Sequence, residues 1–383
     1  MPANPSVLLA RRDNTQGIRD DVGMSGIVFI LGAGASHTCG APLMWNFLDV
    51  ASDLMRSNAI AVGEKQPAFD RVFRTRHALQ AVHSKAQLDL NNIESIFTAL
   101  ELGKVIQRVP GVSPSEIEES IVALKGLIVR TLEITMKFPI DGSRIGPPAS
   151  YAKFAELLRF LQRDAYPART VSVITFNYDV GLDVAMCRAG LGPDYGFEAA
   201  GVGSVPLLKL HGSLNWATRK VTNQILGMRI SDFLTFYEQR RSVDFDGSLP
   251  VGRLLAQYFR ESLIEVESEP VIVPPSWNKA DYHAALSDTW SSAAQHLFEA
   301  EHIFVMGYSL PETDSFFRHL YALGSAGGTP LRRFEVFNPD ASQALDLRFR
   351  NMLGTGAIAR YRMHPHSFEI AIDVVRHMFM QGR

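Results

Sequence analysis

Cysteine is almost absent: two thiols, Cys39 and Cys187, occur in 383 residues. They cannot build a four-cysteine zinc site, and so small a number excludes a disulfide-stapled scaffold. An excess of one charge is lacking too. Lys and Arg number 38 against 40 Asp and Glu, a formal net charge of −2. That balance gives no bulk attraction to nucleic acid or to an anionic membrane. The four tryptophans are scattered, with no Arg/Lys–aromatic ladder, so no direct nucleic-acid binding is expected. No apolar run approaches the roughly 20 residues that cross a bilayer. In "MPANPSVLLARRDNTQGIRDD" the arginines follow a short apolar "VLLA", unlike a secretory signal. The expected location is therefore cytoplasmic, with residues 1–25 as an N-terminal arm. Three catalytic signatures are also missing: G-x-x-x-x-G-K-[ST], H-E-x-x-H and G-x-S-x-G. "HPH" at 364–366 lacks the acidic or cysteine neighbours of a metal site.

What is present is a series of short apolar runs: "IVFIL" (27–31), "VSVIT" (171–175), "PLLKL" (206–210), "PVIV" (270–273), "HIFVM" (302–306) and "RFEVF" (333–337). Their apolar density on both faces suits strands inside a parallel sheet. Each is followed at once by turning or binding residues: Gly-Ala-Gly, Phe-Asn-Tyr-Asp, His-Gly-Ser, Pro-Pro, Gly-Tyr-Ser and Asn-Pro-Asp. The expected fold is α/β: a Rossmann-like, mostly parallel sheet of about six strands with helices on both faces. Residues 26–383 read as one domain with helical insertions at about 42–150 and 225–265. In the first insertion Met44, Phe47, Leu48, Ala51, Leu54 and Met55 share a helical face. "NNIESIFTALELG" suggests a helix capped by Asn91, three residues before Glu94, and closed at Gly103. Helices are also expected within 114–137 and 230–263.

Three strand ends carry candidate chemistry. Gly32 and Gly34 allow backbone to approach a pyrophosphate, and Ser36 adds a hydroxyl; an ordinary tight turn explains the glycines equally well. Asn177 and Asp179 either project into a crevice or form an Asx turn. His211, ending an apolar strand before Gly212, is either a structural residue or a proton acceptor facing an open site. The carboxylate that should bind a cofactor's ribose about 20 residues after the glycines is not at a strand end, because Asp49 and Asp53 lie within a helical pattern.

In their order, "GAGAS…GAP", "TFNYD", "LHGS", "PP", "GYSLPETD" and "FNPD" resemble the sirtuin superfamily, and among it the bacterial sirtuin-like proteins of anti-phage systems. These include subunits that accompany HerA-type ATPases. The resemblance spans residues 27–54, 88–101 and 171–340. It implies NAD bound as a substrate, with Gly32, Ala33, Gly34 and Ser36 at the phosphates. Asn177 would lie at the nicotinamide ribose, Asp179 would order the pocket, and His211 would be the catalytic histidine. Gly307 and Ser309 would lie near the adenosine phosphates and Asn338 at the adenosine ribose. Deacylating members carry four zinc-binding cysteines after the histidine, whereas this chain has none after Cys187. The expectation is accordingly a zinc-free NAD hydrolase without a resident cofactor, oligomeric and repressed at rest. A zinc-free deacylase or ADP-ribosyltransferase is the alternative enzyme, and a non-catalytic subunit scaffolding an ATPase is the alternative from another class.

Overall fold

A computed structural model of the chain describes residues 26–57, 62–165, 170–197, 201, 203–240, 245–273, 280–311 and 314–381. The expected N-terminal arm and the Pro-Pro pair at 274–275 lie outside them. Seven strands form the central sheet: β1 Gly26–Leu31, β2 Val171–Thr175, β3 Gly192–Asp194, β4 Ser204–Lys209, β5 Ala300–Met306, β6 Arg333–Phe337 and β7 Tyr361–His364. Their order is β7-β6-β5-β1-β2-β4-β3, and every neighbouring pair is parallel. β1 is central because "GIVFIL" is buried along its whole length. Ile27, Phe29 and Leu31 enter the core on one face, while Val28 and Ile30 enter the core on the other. Such two-sided burial is what an apolar run without polar alternation requires. Phe29 packs edge-on to Phe154 at 5.1 Å and lies along Phe304 at 5.4 Å. Truncating it to alanine would cost about 3–5 kcal/mol.

The sheet has one strand more than expected, and one expected strand is elsewhere. Val271–Ile272 pairs antiparallel with Gly212–Ser213, outside the sheet. Apolar density cannot separate these cases, since both segments are buried. The strands absent from the sequence reading are the two edges. "GPD" is partly exposed, and "YRMH" is buried mainly at Tyr361. An edge strand needs little apolar surface, so it leaves little trace in sequence.

Helices fill the connection between β1 and β2: α1 Ala33–His37, α2 Phe47–Ser57, α3 Gln66–Leu79, α4 Ile93–Ile106, α5 Ile117–Thr135 and α6 Ala149–Phe160. In α2 the buried face is Phe47, Leu48 and Ala51, flanked by the partly buried Leu54 and Met55. The cap of α4 is Asn92 rather than Asn91: its side chain accepts the Glu94 N–H at 2.9 Å. That helix also runs past Gly103 to Ile106, where Gln107 adopts a left-handed conformation. Beyond β2 come α7 Gly181–Arg188, α8 Ile230–Arg240, α9 Val251–Glu261, α10 Ala280–Phe298, α11 Ser315–Gly324, α12 Gln343–Met352 and α13 Phe368–Met380. None among the described residues is long and apolar enough to cross a membrane.

From β1 the chain moves outward to β2 and to the edge strand β3, steps back to β4, then crosses to β5 on the other flank of β1. The carboxyl end of β1 is thus the switch point of a doubly wound sheet, where such folds leave a crevice.

Candidate active site

Gly32, Phe176 and Gly307 directly follow β1, β2 and β5, so the switch point is assembled from three neighbouring strand ends. The loop after β1 packs backbone to backbone on the loop after β5. Gly34 N–H donates to the Gly307 carbonyl at 2.9 Å, and a Cβ on Gly34 would lie 2.8 Å from Gly307 Cα. Gly307 has φ +64, and a Cβ there would meet Ala35 N at 2.5 Å. Both positions exclude a side chain for steric reasons. Gly32 N–H donates to Met306 O and Ala35 N–H to Gly32 O, so three amides of this loop bond within the protein. Ala33 and Gly34 are half-buried.

A connected polar group lies behind the loop. Ser36, 1% exposed, donates to Asp179 Oδ2 at 2.6 Å and lies 2.6 Å from the Tyr151 hydroxyl. Asn177 Nδ2 donates to Gly32 O and to Ser36 Oγ, both at 2.9 Å, and to the Tyr151 hydroxyl at 3.3 Å. A backbone carbonyl only accepts, so the amide nitrogen faces inward. The carbonyl oxygen is therefore the group that half-buried Asn177 can offer to the crevice. Asp179 Oδ1 accepts the Gly181 N–H at 2.9 Å, starting α7. Burial raises the Asp179 carboxyl above its usual range, against the lowering pull of Lys209 and of the bonds from Ser36 and Gly181. Lys209, at the end of β4, donates to Asp179 O at 2.6 Å, Ser213 Oγ at 2.7 Å and Asp183 Oδ2 at 3.0 Å.

His211 is 4% exposed, so its ring is enclosed by protein. It sits edge-on to Phe176 at 5.2 Å and beside Tyr178 at 6.2 Å. Its Nε2 is 3.9 Å from Asp314 Oδ2, which also accepts the Tyr308 hydroxyl at 2.7 Å. Phe176 stacks on Tyr308 at 4.2 Å. Burial, with the nearby Glu94 and Asp314 carboxylates, pushes the Tyr178 hydroxyl well above its usual value. A pocket beside Tyr178, bordered by Glu94 and Phe97, has only about 10 Å³ of space, room for one water. A roomier cavity of about 410 Å³ is bordered by Lys125, Glu269 and Val271–Val273, and Val273 N–H donates to the His211 carbonyl.

Gly32, Ser36, Asn177, Asp179 and Gly307 are thus brought together. Ser309 is exposed, and Asn338 ends β6, where its side chain accepts the Asp340 N–H at 3.0 Å. His364 of "HPH" donates from Nε2 to the buried Glu335 carboxylate at 2.6 Å and stacks on Phe337 at 4.6 Å, a packing role. Among the described residues no group of three or more His, Cys, Asp or Glu could hold a metal ion. Tyr151, Lys209 and Asp314 were not assigned a role from sequence. Lys209 left a signal as a lone charge inside the apolar run "PLLKL", and Asp314 closes "GYSLPETD", whereas Tyr151 left none.

Fold and site define a doubly wound α/β protein with a polar cluster at its switch point. No protein-family model matches the chain. No curated protein matches it either. Among solved structures it is similar to Sir2 homologues. One, described as a structural basis for the mechanism and regulation of Sir2 enzymes, is 14% identical with 94% of each chain covered and a TM-score of 0.42. Another, a Sir2 homolog–NAD complex, is 15% identical, with 93% of this chain and 90% of that chain covered and a TM-score of 0.39. Likenesses this loose carry no inference about ligand or chemistry.

Proposed function

We propose that the chain is an NAD hydrolase that breaks the nicotinamide–ribose bond to give nicotinamide and ADP-ribose. One observation carries the reading: Asn177 and His211 follow the neighbouring parallel strands β2 and β4, with the Asn177 amide at the switch point fixed so that its oxygen is the group on offer. A module that only held a nucleotide would need the close-packed loop but no such pair. In the proposed mechanism Gly32, Ala33 and Gly34 border the pyrophosphate, with buried Ser36 behind them, and Gly307, Ser309 and Asn338 border the adenosine end. Since several loop amides already bond internally, the loop serves by close backbone approach more than by free donors. Binding energy at this end positions the distant nicotinamide ribose.

Departure of nicotinamide neutralises a ring cation, and the ribose passes through an oxocarbenium-like state. Asn177 would accept a hydrogen bond from a ribose hydroxyl or from the attacking water. His211 would take the proton released. Burial of His211 is consistent with a repressed resting state. We further propose that the activity depletes NAD as an anti-phage effector in the cytoplasm, in a homo-oligomer or beside a HerA-type ATPase. The absence of a four-cysteine set, an observation on sequence alone, favours water over an acyl-lysine peptide as the acceptor.

Incubation with NAD and chromatography of the products tests this. Nicotinamide and ADP-ribose should appear without any acylated peptide. Strict dependence on an acyl-lysine peptide would favour a deacylase, and no cleavage under activating conditions would favour the scaffold.

A further inference from the structure

Tyr151 comes from the helical connection between β1 and β2, yet its hydroxyl lies inside the polar cluster. It occupies the first turn of α6, after the Pro148 cap, and is 1% exposed. Its ring lies over Gly181, where a Cβ would come within 2.7 Å of it, and meets Phe368 edge-on at 5.6 Å. The ring position is therefore set by packing, independently of the hydroxyl.

The direction of each hydrogen bond follows from counting protons. Ser36 Oγ donates its proton to Asp179 Oδ2. Ser36 Oγ then has only lone pairs left, and the Tyr151 hydroxyl 2.6 Å away must be the donor. The Tyr151 oxygen keeps a lone pair for the Asn177 amide at 3.3 Å. Burial holds the Tyr151 hydroxyl well above its usual value, with Asp179 and Cys39 adding to the rise, so it remains a donor. Gly32 O, Ser36 Oγ and the Tyr151 oxygen thus face the two Asn177 protons. A half-turn of the amide would set its oxygen against acceptors.

We infer that Tyr151 is a positioning residue for Asn177, fixing its amide through the buried hydroxyl and making the helical connection part of the site. This rests on the hydrolase reading for its kinetic consequence, though not for the geometry.

The test compares wild type, Tyr151→Phe, Ser36→Ala and the double variant, each under the conditions that activate the wild type. Phenylalanine fills the same space, so the melting temperature should stay within a few degrees. Losing one fixing bond should lower kcat about tenfold. KM should stay within about threefold, since the hydroxyl acts through Asn177 rather than on the nucleotide. The double variant should lose less than the product of the single losses, because both hydroxyls hold one amide. Turnover of Tyr151→Phe within about twofold of wild type, or losses that multiply, would overturn the inference. A readout free of catalysis is the Asn177 side-chain amide resonance, assigned by its disappearance in Asn177→Ala. It should shift and broaden in Tyr151→Phe. An unchanged resonance sinks the inference even where NAD is cleaved. If wild type does not cleave NAD, the hydrolase reading alone fails and the resonance decides the positioning.

Discussion

Replacing Lys209 with methionine keeps the length of the side chain but removes the cation from a place that water does not reach. Lys209 is 1% exposed and Asp183, its ion-pair partner at 3.0 Å, is 0% exposed. Asp183 would keep one bond, from the Tyr195 hydroxyl at 2.7 Å, and lose its compensating charge. Breaking a buried pair in this way costs about 3–5 kcal/mol. Ser213 and the Asp179 carbonyl lose their donor as well, so the Ser36–Asn177 side of the cluster should loosen. The assay is urea or thermal unfolding of Lys209→Met and of Lys209→Met with Asp183→Asn. The single variant should melt about 5 °C lower. The double variant should recover most of that, because an asparagine oxygen still accepts from Tyr195. A single-variant loss below about 1 kcal/mol, or no recovery in the double, would refute the reasoning.

His211→Asn, which keeps a polar side chain in most of the buried ring's space, should lower NAD cleavage by about 10²–10⁴ with NAD affinity nearly unchanged; equal turnover would remove His211 from the mechanism. Gly34→Val should lose NAD binding in calorimetry, because its Cβ would stand 2.8 Å from Gly307 Cα; retained affinity would show that the two loops can separate cheaply. Burial pushes the Cys39 thiol up to about 11. At pH 8 roughly one molecule in a thousand carries the thiolate, so alkylation followed by mass spectrometry should be far slower folded than unfolded. Burial also raises the Asp179 carboxyl, so the folded state keeps this proton to higher pH than the unfolded state does. Its contribution to stability is then largest below the ordinary carboxyl range and declines as the pH rises through the raised value. Asp179→Asn should flatten that part of the stability–pH curve, and a curve parallel to that of wild type would contradict the assignment.

The parts of the site legible in sequence are those fixed by local chain geometry. Gly32 and Asn177 follow apolar runs directly, and an apolar run with a turn behind it announces both a buried strand and its end. In a parallel sheet those ends gather on one side, so their meeting could be expected before any coordinates. Tyr151 could not be found that way. It is one tyrosine in an amphipathic helix, where aromatic residues are usually core, and only the packing of α6 against α7 brings it to Ser36. Asp314 does close the motif "GYSLPETD", but only the tertiary structure brings it to His211 from the far flank of β1.

By itself, then, the sequence determined the strand runs that make up the sheet's centre, the α/β class, and the glycines, asparagine and histidine at the strand ends. These follow from periodicity and turn chemistry, which act over a few residues. Tertiary structure alone decided that "PVIV" leaves the sheet, that two polar segments close its edges, and that His211 is enclosed by Phe176, Tyr178 and Asp314. Edge pairing, burial and the direction of a hydroxyl proton depend on groups distant in the chain, and no local pattern records which distant group will be the neighbour.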